Sequence, residues 1–81
     1  MKIHLQYFSI YRSRFQEEGS TKNYPENFSV KEVFFSHFND LIEAEKFLKF
    51  TRFAVNAEYC SAETSLKEGD ELVFIPPVSG G

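Results

Sequence analysis

The sequence predicts an α+β domain in which a mixed sheet carries its helices on one face. Three observations lead there. Lys2-Ile3-His4-Leu5-Gln6-Tyr7 alternates polar and apolar residues, the period of a half-buried strand. Ser29-Val30-Lys31-Glu32 opens an apolar pattern at helical spacing. Glu71-Leu72-Val73-Phe74-Ile75 is a final apolar run that stops at Pro76-Pro77, since proline donates no ladder hydrogen bond.

Each element follows from local pattern. Ile3, Leu5 and Tyr7 share one face of the first strand. Lys2, His4, Gln6 and Phe8 share the other, which leaves Phe8 as an aromatic on the polar side. Residues 9–18 are expected to form a short helix, with Ile10, Arg14 and Glu17-Glu18 suitably spaced and Gly19 at its C-terminal end. Residues 20–28 read as a turn or short second strand, with turn chemistry in Tyr24-Pro25-Glu26-Asn27. Ser29 and Glu32 form a capping box. Val30, Val33, Phe34, His37, Phe38 and Leu41 continue from it at helical spacing. Asp40-Leu41-Ile42-Glu43 repeats the cap signature, and Ala44, Phe47 and Leu48 extend an apolar face, as a second helix or a continuation of the first.

Arg52 to Asn56 reads as a strand, and Asn56-Ala57-Glu58 as a turn into a brief Tyr59-Cys60 strand. Ser61 to Ser65 is polar loop. Leu66 to Asp70 is a turn in which Gly69 can take positive φ. In the last strand Leu72 and Phe74 are expected to face inward, Val73 and Ile75 outward. Small domains with this order of elements include the ubiquitin-like β-grasp.

The 81 residues suit one domain, 1–81, with 76–81 as a flexible C-terminal tail. Ten Phe and four Tyr supply large apolar areas, and most of them are expected in the core. A net charge of −3, with nine Lys and Arg scattered along the chain, argues against nucleic acid. The single Cys60 excludes an internal disulfide and fits a reducing compartment. The N-terminus has no continuous apolar stretch of the signal-peptide kind. No apolar run approaches the roughly 20 residues of a membrane span. A cytoplasmic protein without membrane contact is expected.

If the chain has a chemistry, the C-terminus is the first place to look for it. Gly80 and Gly81 have no Cβ, so the backbone can lie close to its surroundings and the terminal acyl carbon is unhindered. Pro76-Pro77 stiffens the exit from the sheet, which lowers the entropy lost when a partner holds the tail. A chance Gly-Gly end occurs on the order of once in two hundred chains, given glycine usage of about 7%.

Residues 69–81, Gly69-Asp70-Glu71 through Pro76-Pro77-Val78-Ser79-Gly80-Gly81, resemble the C-terminus of the small, sulfur-carrying subunit of molybdopterin synthase, a ubiquitin-like β-grasp sulfur carrier. Tyr7-Phe8 with Arg12, Ser29-Val30 and Ala54-Val55-Asn56 are similar to that family's first strand, helix start and third strand. Residues 20–28 and 36–51 match it poorly. The resemblance implies that a ubiquitin-activating-like adenylyltransferase uses ATP to adenylate Gly81, and that a sulfur donor protein converts the adenylate to a thiocarboxylate. The tail, Pro76, Pro77, Val78, Ser79 and Gly80, would then enter the large subunit of the synthase, a heterotetramer. There two carriers give two sulfurs to cyclic pyranopterin monophosphate in molybdenum cofactor biosynthesis. It also implies that Phe8, Tyr59 and Ile75 form an exposed apolar patch for both partners. Tyr59 replaces the aliphatic residue often found there, and tyrosine still supplies amphipathic contact area. The chain would be a non-catalytic carrier subunit that binds no cofactor and no metal.

Other carriers also end in Gly-Gly on a β-grasp: those for thiamine, amino-acid or tRNA thiolation. A ubiquitin-like protein modifier, or a plain β-grasp interaction module, are readings of a different class. Cys60 reads as a structural thiol, since neither His is near it in sequence. His4 and His37 lack a ligand-spaced cluster. Glu17-Glu18 and Glu43/Glu45 suit solvated helix faces better than paired catalytic carboxylates. Phe34, Phe38, Phe47, Phe50 and Phe53 read as core.

Overall fold

The computed structural model describes residues 1–77. The sequence elements appear in the order β1 (Lys2–Tyr7), α1 (Ile10–Phe15), β2 (Gly19–Asn23), α2 (Val30–Phe35), α3 (Leu41–Leu48), β3 (Arg52–Val55), β4 (Glu58–Cys60) and β5 (Glu71–Ile75). The five strands form one sheet in the order β2-β1-β5-β3-β4. Its central pair, β1 and β5, is parallel, and the other pairings are antiparallel. This is the ubiquitin-like β-grasp expected from the element order.

The alternation in β1 does what it predicts: Ile3, Leu5 and Tyr7 are buried, and Lys2, His4 and Gln6 are exposed. They join Phe53 of β3, Leu72 and Phe74 of β5, Tyr11 of α1 and Val30, Val33 and Phe34 of α2 in one core. Phe47 and Leu48 of α3 pack against its edge. The helices therefore cover one face of the sheet. The core is aromatic: the Phe34 ring lies edge-on to Phe74 at 5.0 Å and to Phe53 at 5.2 Å.

The predicted capping box is formed. Ser29 Oγ accepts from the Glu32 amide at 3.1 Å, and Glu32 Oε1 accepts from the Ser29 amide at 2.9 Å. The next two amides, of Val30 and Lys31, donate to the Thr64 and Ala62 carbonyls. The loop after β4 is thus strapped to the start of α2, and Leu66 is drawn into the core. Asp40 caps a separate helix, accepting from the Ile42 amide at 2.9 Å. The two cap signatures therefore mark two helices.

The structure departs from expectation in the first helix and at Leu41. The first helix ends at Phe15, because Gln16 takes the left-handed conformation (φ 57°) that stops it. Gly19 instead opens β2 opposite Gln6, where an added Cβ would lie 2.6 Å from the Leu5 carbonyl oxygen. Tyr11 is the residue α1 buries. Val73 faces away from the helices but is only 9% exposed, since it sits mid-sheet between Gln6 and Ala54. Leu41 is 60% exposed, because the helical phase breaks between α2 and α3.

The β3–β4 hairpin is closed by Asn56 and Ala57, both at positive φ (51° and 70°). That is the geometry of a two-residue type I′ turn. Asn56 also ties the turn to β5: its Oδ1 accepts from the Glu71 amide at 3.0 Å, and its Nδ2 donates to Asp70 at 2.9 Å. Gly69 has the positive φ its turn requires (82°).

Candidate functional site

Of the predicted site residues, Tyr59 and Ile75 lie on the face of the sheet opposite the helices. Cross-strand register aligns Gln6, Val73, Ala54 and Tyr59 in one row across β1, β5, β3 and β4. Paired residues share a face. The next row pairs Ile75 with Arg52. Tyr7 pairs with Phe74 beneath the helices; Phe8 and Ile75 are the next residues along each chain, and continued alternation turns both toward the open face. Phe8 is 39% exposed and Tyr59 74% exposed. Ile75 is half-buried.

The structure thus gathers Phe8, Tyr59 and Ile75 on one side of the domain, floored by Ala54 and Val73. Strand β5 runs through this surface and leads directly into Pro76 and Pro77. Val78, Ser79, Gly80 and Gly81, expected from the sequence to be the reactive tail, lie outside the described residues. What the fold supplies is the root of the tail, set against an open apolar face.

Tyr59 and Ile75 also line a groove of about 590 Å3, together with Lys49, Phe50, Arg52 and Pro76. Sequence reading missed this feature. Phe50 was expected in the core but is 41% exposed, its ring resting on Phe47 at 5.3 Å. Sequence separation hid the rest, because β3, β5 and the end of α3 meet only in the fold.

The titratable groups with displaced pKa values do not belong to the open face. His37 and Tyr7 meet beneath the helices at 2.7 Å. His37 Nδ1 faces the Val33 carbonyl at 2.9 Å and must donate to it. Neutral Nε2 then accepts from the Tyr7 hydroxyl, whose oxygen can accept from Ser20 at 3.2 Å. Burial holds His37 down at about 4, against the pull of the Val33 carbonyl. Burial pushes Tyr7 up to about 12. His4 bonds Thr21 instead, so the two histidines share no site. Glu43 pairs with Arg14, whose guanidinium covers the Phe47 ring at 4.8 Å. Among the described residues no group of three or more His, Cys, Asp or Glu is placed to hold a metal ion.

The model of the ThiS family matches residues 5–81. The chain belongs to the ThiS family. This ThiS-family chain is a ubiquitin-like sulfur carrier. A protein of Pyrococcus furiosus assigned as molybdopterin converting factor, subunit 1, has a similar structure, with a TM-score of 0.75 and 25% identity over 96% of this chain and 99% of that one. The small archaeal modifier protein 1 of Haloferax volcanii superimposes with a TM-score of 0.75 at 18% identity, over the full length of both chains. Subunit 1 or 2 in the Helicobacter pylori complex of molybdopterin-converting factor does so with 0.63 at 24%, also over both full lengths. These last two likenesses are of fold alone. No curated protein matches the ThiS-family chain. No helix among the described residues is long and apolar enough to cross a membrane.

Proposed function

We propose that this chain is the sulfur-carrying subunit of a molybdopterin synthase. The observation that carries the reading is the sequence run Phe74-Ile75-Pro76-Pro77-Val78-Ser79-Gly80-Gly81, whose described part takes β5 into Pro76 and Pro77. The likeness to molybdopterin converting factor subunit 1 supports it.

In this reading the Gly81 carboxylate oxygen attacks the α-phosphate of ATP in an activating enzyme and releases pyrophosphate. Adenylation gives the acyl carbon a good leaving group. Sulfide-level sulfur delivered by a donor protein then displaces AMP and leaves a thiocarboxylate, a sulfur nucleophile at neutral pH. The charged tail enters the large subunit, where its sulfur bonds to a carbon of cyclic pyranopterin monophosphate and water then cleaves the acyl–sulfur bond, which regenerates the carboxylate. The domain's own part is to present Gly81 and to dock through Phe8, Tyr59 and Ile75. Their exposure together on one face supports that role, and the existence of a subunit 1–subunit 2 complex in Helicobacter pylori supports the kind of partner.

The deciding test incubates the chain with ATP, the activating enzyme and a sulfur donor, and reads intact mass. A gain equal to one oxygen exchanged for sulfur is expected, and it disappears when Gly81 is deleted. The charged chain with the candidate large subunit should convert cyclic pyranopterin monophosphate to molybdopterin. Charging without that conversion points to a carrier for another pathway, such as thiamine, amino-acid or tRNA thiolation. A second reading, a protein modifier, draws on the fold shared with the small archaeal modifier protein; it predicts an isopeptide-linked ladder in place of molybdopterin.

A further inference from the structure

The groove beside the tail root is not used by the chemistry described above, and its composition is unlike the rest of the chain. The protein carries twelve Asp and Glu against nine Lys and Arg. The groove nevertheless holds two cations, Lys49 and Arg52, and among the described residues no carboxylate lines it. Among the described residues neither cation is in an ion pair.

The segment that bears these cations is anchored from below. The Thr51 hydroxyl donates to the Phe47 carbonyl at 2.6 Å and is bonded by the buried Tyr11 hydroxyl. Thr51 is itself buried, while Lys49, Phe50 and Arg52 on either side are exposed. The anchored backbone reduces the ordering entropy that binding here must overcome. Arginine and aromatic residues are also the types that dominate interface cores.

We propose that this groove receives an acidic segment of the protein that takes up the tail. A carboxylate of that segment sits against Lys49 and Arg52, and a neighbouring apolar side chain sits against Phe50 and Tyr59. Charge complementarity selects an acidic occupant. Continuity selects the tail's recipient: Tyr59 and Ile75 belong to both the groove and the open-face patch, and Pro76 and Pro77 form part of its wall. A protein that encloses the tail therefore passes over this rim. The inference rests on the sulfur-carrier reading and adds a charged specificity element to its apolar patch.

The test compares two double variants of equal charge change. Lys49→Glu/Arg52→Glu alters the groove. Lys22→Glu/Lys46→Glu alters exposed lysines on β2 and α3 outside it. Binding to the candidate large subunit is measured by calorimetry at low and high salt, with a urea melt to verify folding. The groove variant should bind about tenfold or more weakly and lose most of the salt dependence, as expected for a charged contact within an interface. The control should stay near wild type. If the groove variant melts early, Lys49→Gln/Arg52→Gln removes the charges without adding repulsion and should still weaken binding.

Equal affinity for groove variant and wild type overturns the proposal, as does an equal loss in both double variants. A groove variant that keeps its partner affinity but is no longer adenylated assigns the groove to nucleotide and overturns it too. A wild-type chain that does not bind the large subunit overturns the synthase reading itself, and the partner named here with it.

Discussion

Val73 and Phe74 are neighbours on one strand and face opposite worlds. Phe74 is fully buried among the rings of Tyr7, Phe34, Phe53 and His37, within 5.0–5.8 Å of each. Val73 is nearly as buried, yet no helix covers it. It is shielded by position, at the centre of a face rimmed by Phe8, Ile75 and Tyr59. The inner face spends large aromatic area on holding the domain together. The outer face keeps its large side chains at the rim, exposed, around a floor of small ones. Stability and recognition are thus divided between two sides of a single sheet, and substitutions on the two sides should have separable effects.

The largest effect is expected on the inner face. Phe74→Ala removes the ring that most of the core touches and should cost about 3–5 kcal/mol. Against a typical total of about 5–15 kcal/mol for a domain, that brings the free chain close to unfolding in a urea melt. If Phe74→Ala instead leaves the melt unchanged, the division between the faces fails.

Acid should act on the same side. His37 is held at about 4 in the folded chain, below its ordinary 6.5. Between those values the unfolded chain binds the extra proton, so the contribution of neutral His37 is complete above about pH 6.5. It is lost as pH falls through about 4. With 1.36 kcal/mol per unit, the loss is at most roughly 3 kcal/mol. Urea melts from pH 7 to pH 4 should show the decline, and His37→Gln, which does not titrate, should flatten it. An equal slope in both proteins would assign the acid sensitivity to other groups.

Much of the inner face was legible in the sequence, because burial there follows simple periods. The alternation Ile3, Leu5, Tyr7 and the capping box at Ser29 describe structure their own neighbours enforce. The misreadings arise where distant residues decide. Gly19 looked like a helix end, but its small size answers the Leu5 carbonyl across the sheet. Phe50 looked like core, but it lies just past the end of α3, where the inward face of the helix no longer continues. The outer face was legible only in part. Phe8 stood out as an aromatic out of phase, whereas Tyr59 came from family resemblance alone. The Lys49–Arg52 groove had no local signal, since Tyr59 and Ile75 reach it from other strands.

On the outer face the expected effect changes kind. Phe8→Ala should alter the urea midpoint little, within about 0.5 kcal/mol, as for other surface positions. Its affinity for the large subunit should fall by roughly tenfold or more, the loss of an aromatic anchor at an interface. Tyr59→Ala should behave alike. Affinity unchanged in both variants would mean that the exposed patch is not the docking face.

The smallest effect tests whether the two faces are truly independent. Ser29→Ala deletes one half of the capping box and should cost about 1 kcal/mol, the usual effect of losing such a cap. The loss belongs to α2, on the covered side, and the Glu32 amide then turns to water. A domain with several kcal/mol in reserve stays almost wholly folded after such a loss. Partner affinity and Gly81 charging should therefore match wild type, even though the urea midpoint shifts. The cap is strapped to residues 62–66, which return the chain toward β5. A fall in affinity from Ser29→Ala would show that this strap helps to set the open face, and that the sheet transmits between its sides.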